Sequence, residues 1–170
     1  MVILVTGLPG SGKSYFASRV ADMLGAAYIK SDEVRKQLLS KKTYSEKEKL
    51  SVYDVMLEKM KKLLIEKKDI VLDATFYKHA IRSKFLEAVK GKEDSYLIEV
   101  KASVPLTRER LKIQRPDSDA DFEVYKKIKK QWEPLKEDHL IIRSTNDNIR
   151  EMLQKASDYL HLKDDKRTNR

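Results

Sequence analysis

Residues 7–14 read Gly-Leu-Pro-Gly-Ser-Gly-Lys-Ser, which fits G-x-x-x-x-G-K-[ST] and contains three of the chain's five glycines. This Walker A pattern has structural meaning when a buried strand precedes it and a helix follows it. Residues 2–5 form an apolar, β-branched run typical of a strand covered on both faces, and residues 15–24 have helical apolar spacing. The sequence therefore predicts a strand, a nucleotide phosphate-binding loop (P-loop) and a helix.

The residue types of the loop match its chemistry. The chain must turn tightly, aim successive backbone N–H groups at a polyphosphate and open a helix whose N-terminus carries partial positive charge. Lys13 is predicted to reach the β- and γ-phosphates, and the Ser14 hydroxyl to ligate Mg²⁺. The predicted nucleotide-binding residues here are Gly7, Pro9, Gly10, Ser11, Gly12, Lys13, Ser14 and Tyr15.

Length and composition set the class of protein. The 170 residues suit a single domain, predicted over 1–162, with a charged and disordered tail over 163–170. The chain has no cysteine, no leader-like start and no apolar run of the roughly 20 residues that a spanning helix needs. We therefore expect a cytoplasmic monomer or weak dimer with no membrane partner.

The formal charge of +9 permits two interpretations. Most lysines are scattered along predicted helices, where charges are usually solvated. A positive chain also attracts nucleotides and other anions, so a nucleic acid partner stays possible.

Strands and helices alternate along the chain, which predicts a parallel α/β sheet. The expected strands are 2–5, 27–29, 70–72, 96–100 and 140–142. The expected helices are 15–24, 33–39 with Ser31 or Asp32 as N-cap, 46–66 with a capping box at residues 45–48, 78–90, 105–114, one that ends near 132 and one that begins near 146.

Two carboxylates follow predicted strands. Ligands of open α/β sheets bind at the carboxyl ends of the strands, so Asp32 and Asp73 should meet the P-loop there. Arg35 lies three residues after Asp32, on the same helix face. The structural alternatives are an N-cap for Asp32, a solvated surface charge for Arg35 and a strand-terminal cap for Asp73.

The P-loop together with residues 29–35, residues 71–76 with Arg82, and residues 110–120 resembles the small P-loop kinase group. That group includes phage-type polynucleotide 5′-kinase, zeta toxin and chloramphenicol phosphotransferase. The resemblance spans roughly residues 1–160. It implies an adenylate-kinase-like fold, with a five-stranded parallel sheet of order 2-3-1-4-5, helices on both faces and a small lid. It also implies an ATP-dependent kinase that uses Mg²⁺.

The resemblance implies residue roles as well. Asp32 matches the carboxylate that accepts the proton of the attacking hydroxyl, and Arg35 matches an acceptor-binding arginine. Asp73 resembles the residue that holds Mg²⁺ beside Ser14. Lid arginines are the natural source of transition-state charge: Arg115 is the first choice and Arg110, a further nucleotide-binding candidate, the second. Ordinary surface ion pairs are the alternative for both, as a surface helix charge is for Arg82.

Three functions fit these observations. The leading one is phosphoryl transfer from ATP to a hydroxyl of an unidentified small molecule. The second is a kinase of RNA or DNA 5′-hydroxyl ends, and the third is a nucleotide-binding regulator or NTPase without an acceptor. Recognition of the base is expected near residues 143–148, which carry no signature that separates ATP from GTP.

Overall fold

The computed structural model describes residues 1–38, 45–113 and 120–165, with side chains described through residue 160. Its centre is a sheet of five parallel strands: β1 (Val2–Thr6), β2 (Ala27–Lys30), β3 (Ile70–Asp73), β4 (Ser95–Lys101) and β5 (Leu140–Arg143). The strand order is β2-β3-β1-β4-β5. Each neighbouring pair is parallel. The strand order and the parallel pairing confirm the predicted sheet. Each connection between consecutive strands contains at least one helix, as crossovers between parallel strands usually do.

Seven helices lie in the described part of the chain: α1 (Lys13–Leu24), α2 (Ser31–Leu38), α3 (Glu46–Ile65), α4 (His79–Val89), α5 (Val104–Lys112), α6 (Phe122–Gln131) and α7 (Ile149–Asp165). They cover both faces of the sheet. Within the described ranges, no helix is both long and apolar enough to cross a membrane.

Strand β1 shows how the sequence builds the two cores. Its side chains alternate between the faces, so Val2 and Leu4 belong to one buried cluster and Ile3 and Val5 to the other. The first cluster includes residues of α3 and α4, and the second includes residues of α1 and α7. Because both faces of β1 are covered, apolar side chains are favoured at every position from Val2 to Val5, which explains the continuous apolar run.

Several predicted boundaries move by a few residues. Helix α2 begins at Ser31, so the prediction that Ser31 or Asp32 caps it is wrong. Helix α3 is capped as predicted, because the Ser45 hydroxyl accepts a hydrogen bond from the Glu48 N–H. Helix α7 begins at Ile149 and continues to Asp165, into the predicted tail, whose residues 166–170 lie outside the described chain.

Arg82 corrects a second expectation. Its side chain is fully buried, so the interpretation as a surface helix charge is wrong. The guanidinium donates hydrogen bonds to the carbonyl oxygens of Phe76 at 2.8 Å and Pro134 at 3.2 Å, and lies 3.4 Å from the Glu137 carboxylate. A buried guanidinium needs such partners, and here they join α4 to the chain segment after α6.

Candidate active site

The P-loop connects the end of β1 to the start of α1. Gly10 and Gly12 have φ angles of 77° and 88°, in the left-handed region that favours glycine. A Cβ atom on Gly12 would lie 2.9 Å from the Ser144 hydroxyl oxygen and 3.1 Å from Nη1 of Arg110. The glycines therefore let other segments approach the loop closely. The first N–H groups of α1 have no partners within the helix, which suits an anion at this point.

Asp73 ends β3 beside the P-loop and is 1% exposed. The Tyr28 hydroxyl donates to Oδ2 of Asp73 at 2.8 Å, and the Ser14 carbonyl oxygen is the more distant acceptor at 3.4 Å. Burial, followed by the charge of Asp73, raises the pKa of Tyr28 far above its ordinary value, which keeps Tyr28 a donor.

The other oxygen of Asp73 tests whether this site fits Mg²⁺. Oδ1 is buried and has no hydrogen-bond partner among the described residues. A buried carboxylate oxygen without a partner is costly, and a cation would satisfy it. Mg²⁺ commonly takes one or two protein ligands and fills its other positions with phosphate oxygens and water. The residues Ser14 and Asp73 therefore fit the ion, although the described residues contain no cluster of three or more acidic, histidine or cysteine side chains suited to a metal.

Asp32 and Arg35 form an ion pair at the start of α2. Nη1 of Arg35 lies 3.0 Å from Oδ1 of Asp32, and Nε of Arg35 lies 3.2 Å from Oε1 of Glu48 on α3. The Arg35 side chain is only 13% exposed, so the interpretation as a solvated surface charge is wrong. The Asp32 side chain is 33% exposed, which leaves its carboxylate accessible from the cavity described next.

The α3-side cavity, of about 220 Å³, brings the P-loop, both predicted carboxylates and Arg35 together. It is lined by Pro9, Gly10, Gly12, Lys13, Ser14, Ser31, Asp32, Arg35, Lys49, Val52, Tyr53, Asp73, Thr75, Tyr77, Ala120, Val124, Lys127 and Ile128. The convergence predicted at the carboxyl ends of the strands is therefore present.

A second cavity, the α7-side cavity, lies on the other side of the P-loop and has a volume of about 270 Å³. It is lined by Gly10, Gly12, Tyr15, Arg110, Ile113, Ser144, Thr145, Asn146, Ile149 and Met152. The segment 144–146 falls within the stretch expected to recognise the base. The two cavities share Gly10 and Gly12, so a nucleotide whose phosphates occupy the P-loop has space on either side of them.

Arg110 joins three segments around the α7-side cavity. Nη1 donates to the Ser144 hydroxyl at 2.7 Å and to the Gly10 carbonyl at 3.3 Å, while Nη2 donates to the Thr145 carbonyl at 2.7 Å. The Ser144 hydroxyl in turn donates to the Ser11 carbonyl at 2.7 Å. In this arrangement Arg110 holds residues 144–145 against the P-loop, and it lines the α7-side cavity, whereas Asp32 lines the α3-side cavity.

The remaining predicted residues lie outside the two cavities or outside the described part of the chain. Gly7 and Ser11 belong to the loop and line neither of these two cavities. Arg115, the preferred transition-state residue, lies outside the described residues, as do Ser118 and Asp119.

Sequence reasoning missed four residues that shape the site: Tyr28, Glu48, Lys49 and Lys127. Glu48 lies in a Ser-x-x-Glu pattern that predicts a cap, and nothing in that pattern shows that its carboxylate contacts Arg35 on another helix. No sequence feature separates Lys49 and Lys127 from the many other lysines of the chain. Tyr28 precedes the Asp32 segment in a short strand, and its approach to Asp73 follows from the pairing of β2 with β3.

Comparison with known proteins identifies the family and the fold of the chain. A family described as an AAA domain (AAA_33) matches residues 2–135. The chain belongs to this AAA-domain family. Uncharacterized proteins of Mycobacterium tuberculosis and Mycobacterium bovis are 35% identical over 85 residues, 43% of this chain. The aligned part of this AAA domain spans only 17% of the length of those relatives.

Solved structures resemble the whole domain at low identity. A sugar kinase from Janibacter, unliganded, has a TM-score of 0.73 at 16% identity, with 94% of each chain covered. The Mycobacterium tuberculosis APS kinase CysC, in complex with AMPPNP and APS, has a TM-score of 0.69 at 18% identity, covering 94% of this chain and 96% of that one. Kti12 of Chaetomium thermophilum, in complex with ADP-AlF3, has a TM-score of 0.67 at 22% identity, covering 93% and 98%. The AAA domain therefore has a kinase-like P-loop fold.

Proposed function

We propose that this protein is an ATP-dependent kinase that transfers the γ-phosphoryl group to a hydroxyl of a small molecule. The observation that carries the proposal is the α3-side cavity, where Asp32 and Arg35 line the same space as Lys13, Ser14 and Asp73. A P-loop protein that only binds or hydrolyses nucleotide has no need of a second carboxylate and arginine there. The kinase-like fold of the similar structures supports the same reaction class.

The residues of this cavity can account for each step of the proposed phosphoryl transfer. The acceptor oxygen forms a bond to the γ-phosphorus as the bond from that phosphorus to the β–γ bridging oxygen breaks, and ADP leaves. The Asp32 carboxylate takes the hydroxyl proton. Arg35 orients Asp32 through their 3.0 Å ion pair, and a second ion pair, of 3.2 Å with Glu48, holds Arg35 in place. Lys13 neutralises charge on the phosphates, which is the larger part of catalysis in phosphoryl transfer.

Ser14 and Asp73 would hold Mg²⁺, which supplies charge neutralisation on the β- and γ-phosphates when bound. Tyr28 fixes Asp73 for this role by donating to Oδ2 and leaving Oδ1 without a protein partner among the described residues. On the nucleotide side, Arg110 is proposed to support ATP binding by holding residues 144–145 against the P-loop. Arg115 stays our proposal for transition-state charge.

Transfer of labelled γ-phosphate tests the proposal. Wild-type protein is incubated with labelled ATP and Mg²⁺ against small hydroxyl compounds and 5′-hydroxyl oligonucleotides, beside Lys13→Ala, Asp32→Asn and the control Asp54→Asn. Asp54 is exposed on α3, outside both cavities, and pairs with Lys84. We expect Asp32→Asn to lower transfer about 10²-fold or more, the scale of a lost general base, with Asp54→Asn unchanged.

Three results would contradict the proposal. Full transfer by Asp32→Asn would remove the carboxylate from the reaction. Hydrolysis of ATP with no label on any hydroxyl compound would favour a regulator or NTPase without an acceptor. Label on oligonucleotides alone would favour the polynucleotide 5′-kinase, for which the lysine-rich helix α6 beside the cavity is the supporting observation.

A further inference from the structure

The charged side chains of the α3-side cavity are not balanced. Six of its lining residues are ionisable acids or bases of full charge: Lys13, Asp32, Arg35, Lys49, Asp73 and Lys127. The proposed reaction uses Lys13 and both carboxylates at the P-loop end. The other three are cations, and the described lining offers no further acid to oppose them.

Arg35 contributes no excess charge to this cavity. Its guanidinium contacts the carboxylates of both Asp32, at 3.0 Å, and Glu48, at 3.2 Å. Two negative groups therefore face one positive group, and a ligand anion would compete with carboxylates already in place. The excess positive charge of the cavity must come from its lysines.

Lys49 belongs to a cluster with a positive surplus. Its ammonium lies 2.9 Å from Oε1 of Glu46, and the other oxygen of the same carboxylate lies 3.2 Å from the ammonium of Lys78. One carboxylate thus serves two ammonium groups, and it also accepts from the Tyr77 hydroxyl at 2.8 Å. The Lys49 side chain is 11% exposed, so its charge is poorly screened by water.

Lys127, on helix α6, adds to the positive charge that lines the cavity. It forms no ion pair with a described residue, whereas its neighbour Lys126 contacts Glu123. Lys127 also lines a third, more open space of about 310 Å³, the α6 cavity, together with Glu123, Lys126, Lys130 and Gln131. Positive charge therefore continues from the α3-side cavity onto helix α6.

The cavity also has apolar and aromatic lining, formed by Val52, Tyr53, Tyr77, Val124 and Ile128. Such walls suit a flat or apolar body. A ligand that places a hydroxyl at Asp32 and its body against these walls shares the cavity with Lys49 and Lys127.

We propose that the acceptor already carries a phosphate group, which Lys49 of α3 and Lys127 of α6 bind in the same cavity. This inference rests on the proposed function of the cavity as the acceptor site. Ammonium groups bind phosphate as point charges, whereas a ligand carboxylate is better matched by the planar fork of a free arginine. The arginine of this cavity is already held by two carboxylates.

Calorimetric titration with matched probes tests the inference. Each chain is first saturated with Mg²⁺ and AMPPNP, so that the P-loop is filled, and is then titrated with thymidine, thymidine 3′-monophosphate and a tetrathymidylate with a free 5′-hydroxyl. We expect wild type to bind the monophosphate about tenfold or more tighter than thymidine. Lys127→Gln should abolish most of this preference. Lys129→Gln, on the same helix but lining neither the α3-side nor the α6 cavity, should retain it.

Equal affinity for thymidine and its monophosphate would overturn the inference, as would the absence of binding by every phosphorylated probe. If Lys127→Gln and Lys129→Gln lost the preference for the monophosphate equally, the inference would also be overturned, because the preference would then reflect only the overall charge of the protein. Failure to bind AMPPNP would instead contradict the proposed function. Two further outcomes support the inference and identify the source of the phosphate. Tighter binding of tetrathymidylate than of the monophosphate, lost in Lys130→Gln, indicates a polynucleotide. Equal affinity for these two phosphorylated probes indicates a small molecule.

Discussion

Phe76 shows how one strained residue can shape the wall of the α3-side cavity. Its φ angle of 46° is left-handed, an uncommon conformation for a bulky side chain, and the residue is fully buried. Its N–H donates to the Tyr53 hydroxyl at 3.0 Å, and its carbonyl accepts from Arg82 at 2.8 Å. These two bonds hold the conformation, and Thr75 and Tyr77 on either side line the cavity.

The substitution Tyr53→Phe tests this arrangement. It removes the hydroxyl that accepts from Phe76 and leaves a buried N–H group without that partner, so we expect the free energy of unfolding to fall by about 1–3 kcal/mol. Urea unfolding followed by circular dichroism measures the change. The control is Tyr125→Phe, at a buried tyrosine whose hydroxyl makes no hydrogen bond to a described residue, so its loss should change stability by about 0.5 kcal/mol or less. A Tyr53→Phe protein as stable as that control would show that the hydroxyl does not support Phe76.

At the scale of elements, Glu46 ties the start of α3 to the segment that leads into α4. It lies in the first turn of α3 and contacts Lys49 in its own helix and Tyr77 and Lys78 before α4. Hydrogen bonds from Lys49 and then Tyr77 lower the pKa of Glu46 to about 2. Because the carboxylate is lower in pKa when folded than its ordinary 4.5, its contribution to stability is complete above pH 4.5 and is lost as the pH falls through about 2.

The substitution Glu46→Gln should remove this pH dependence. We expect wild type to be more stable than the variant at pH 7, and the difference to shrink steadily between pH 4.5 and about 2. Urea unfolding at a series of pH values measures it. Glu58→Gln, at an exposed pair with Lys61 on the same helix, serves as control and should differ little from wild type throughout. A constant difference between wild type and Glu46→Gln across this range would contradict the assignment.

Elements with a local signal were predictable from the sequence, and contacts between elements were not. The apolar runs of β1, β3 and β4 and the Ser45 cap of α3 depend on neighbouring residues, and all are present as predicted. The start of α2 was misplaced, because Ser31 and Asp32 are favoured caps and cap preference is only a local tendency. The burial of Arg82 depends on carbonyl groups six and 52 residues away, which no local pattern reveals.

At the scale of the whole molecule, the α7-side cavity joins segments from both ends of the chain. Arg110 spans 100 residues of sequence to reach Gly10, and the Ser144 hydroxyl spans 133 to reach Ser11. The parallel order β3-β1-β4-β5 brings these loops to one edge of the sheet. The motif predicted the loop, but the support that α5 and the segment after β5 give it comes from the fold alone.

This arrangement predicts how nucleotide binding and folding are linked. A ligand that binds only the folded chain at about 100 times its Kd adds about 2.7 kcal/mol to the free energy of unfolding. Arg110→Ala removes the bonds that hold residues 144–145 against the loop, so we expect AMPPNP affinity to fall about tenfold and the increment at the same ligand concentration to fall to about 1.4 kcal/mol. Urea unfolding with and without Mg²⁺ and AMPPNP measures both increments. Lys112→Ala, at an exposed position on the same helix, should keep the full increment. An Arg110→Ala protein that also keeps it would show that the P-loop holds its nucleotide conformation without this brace.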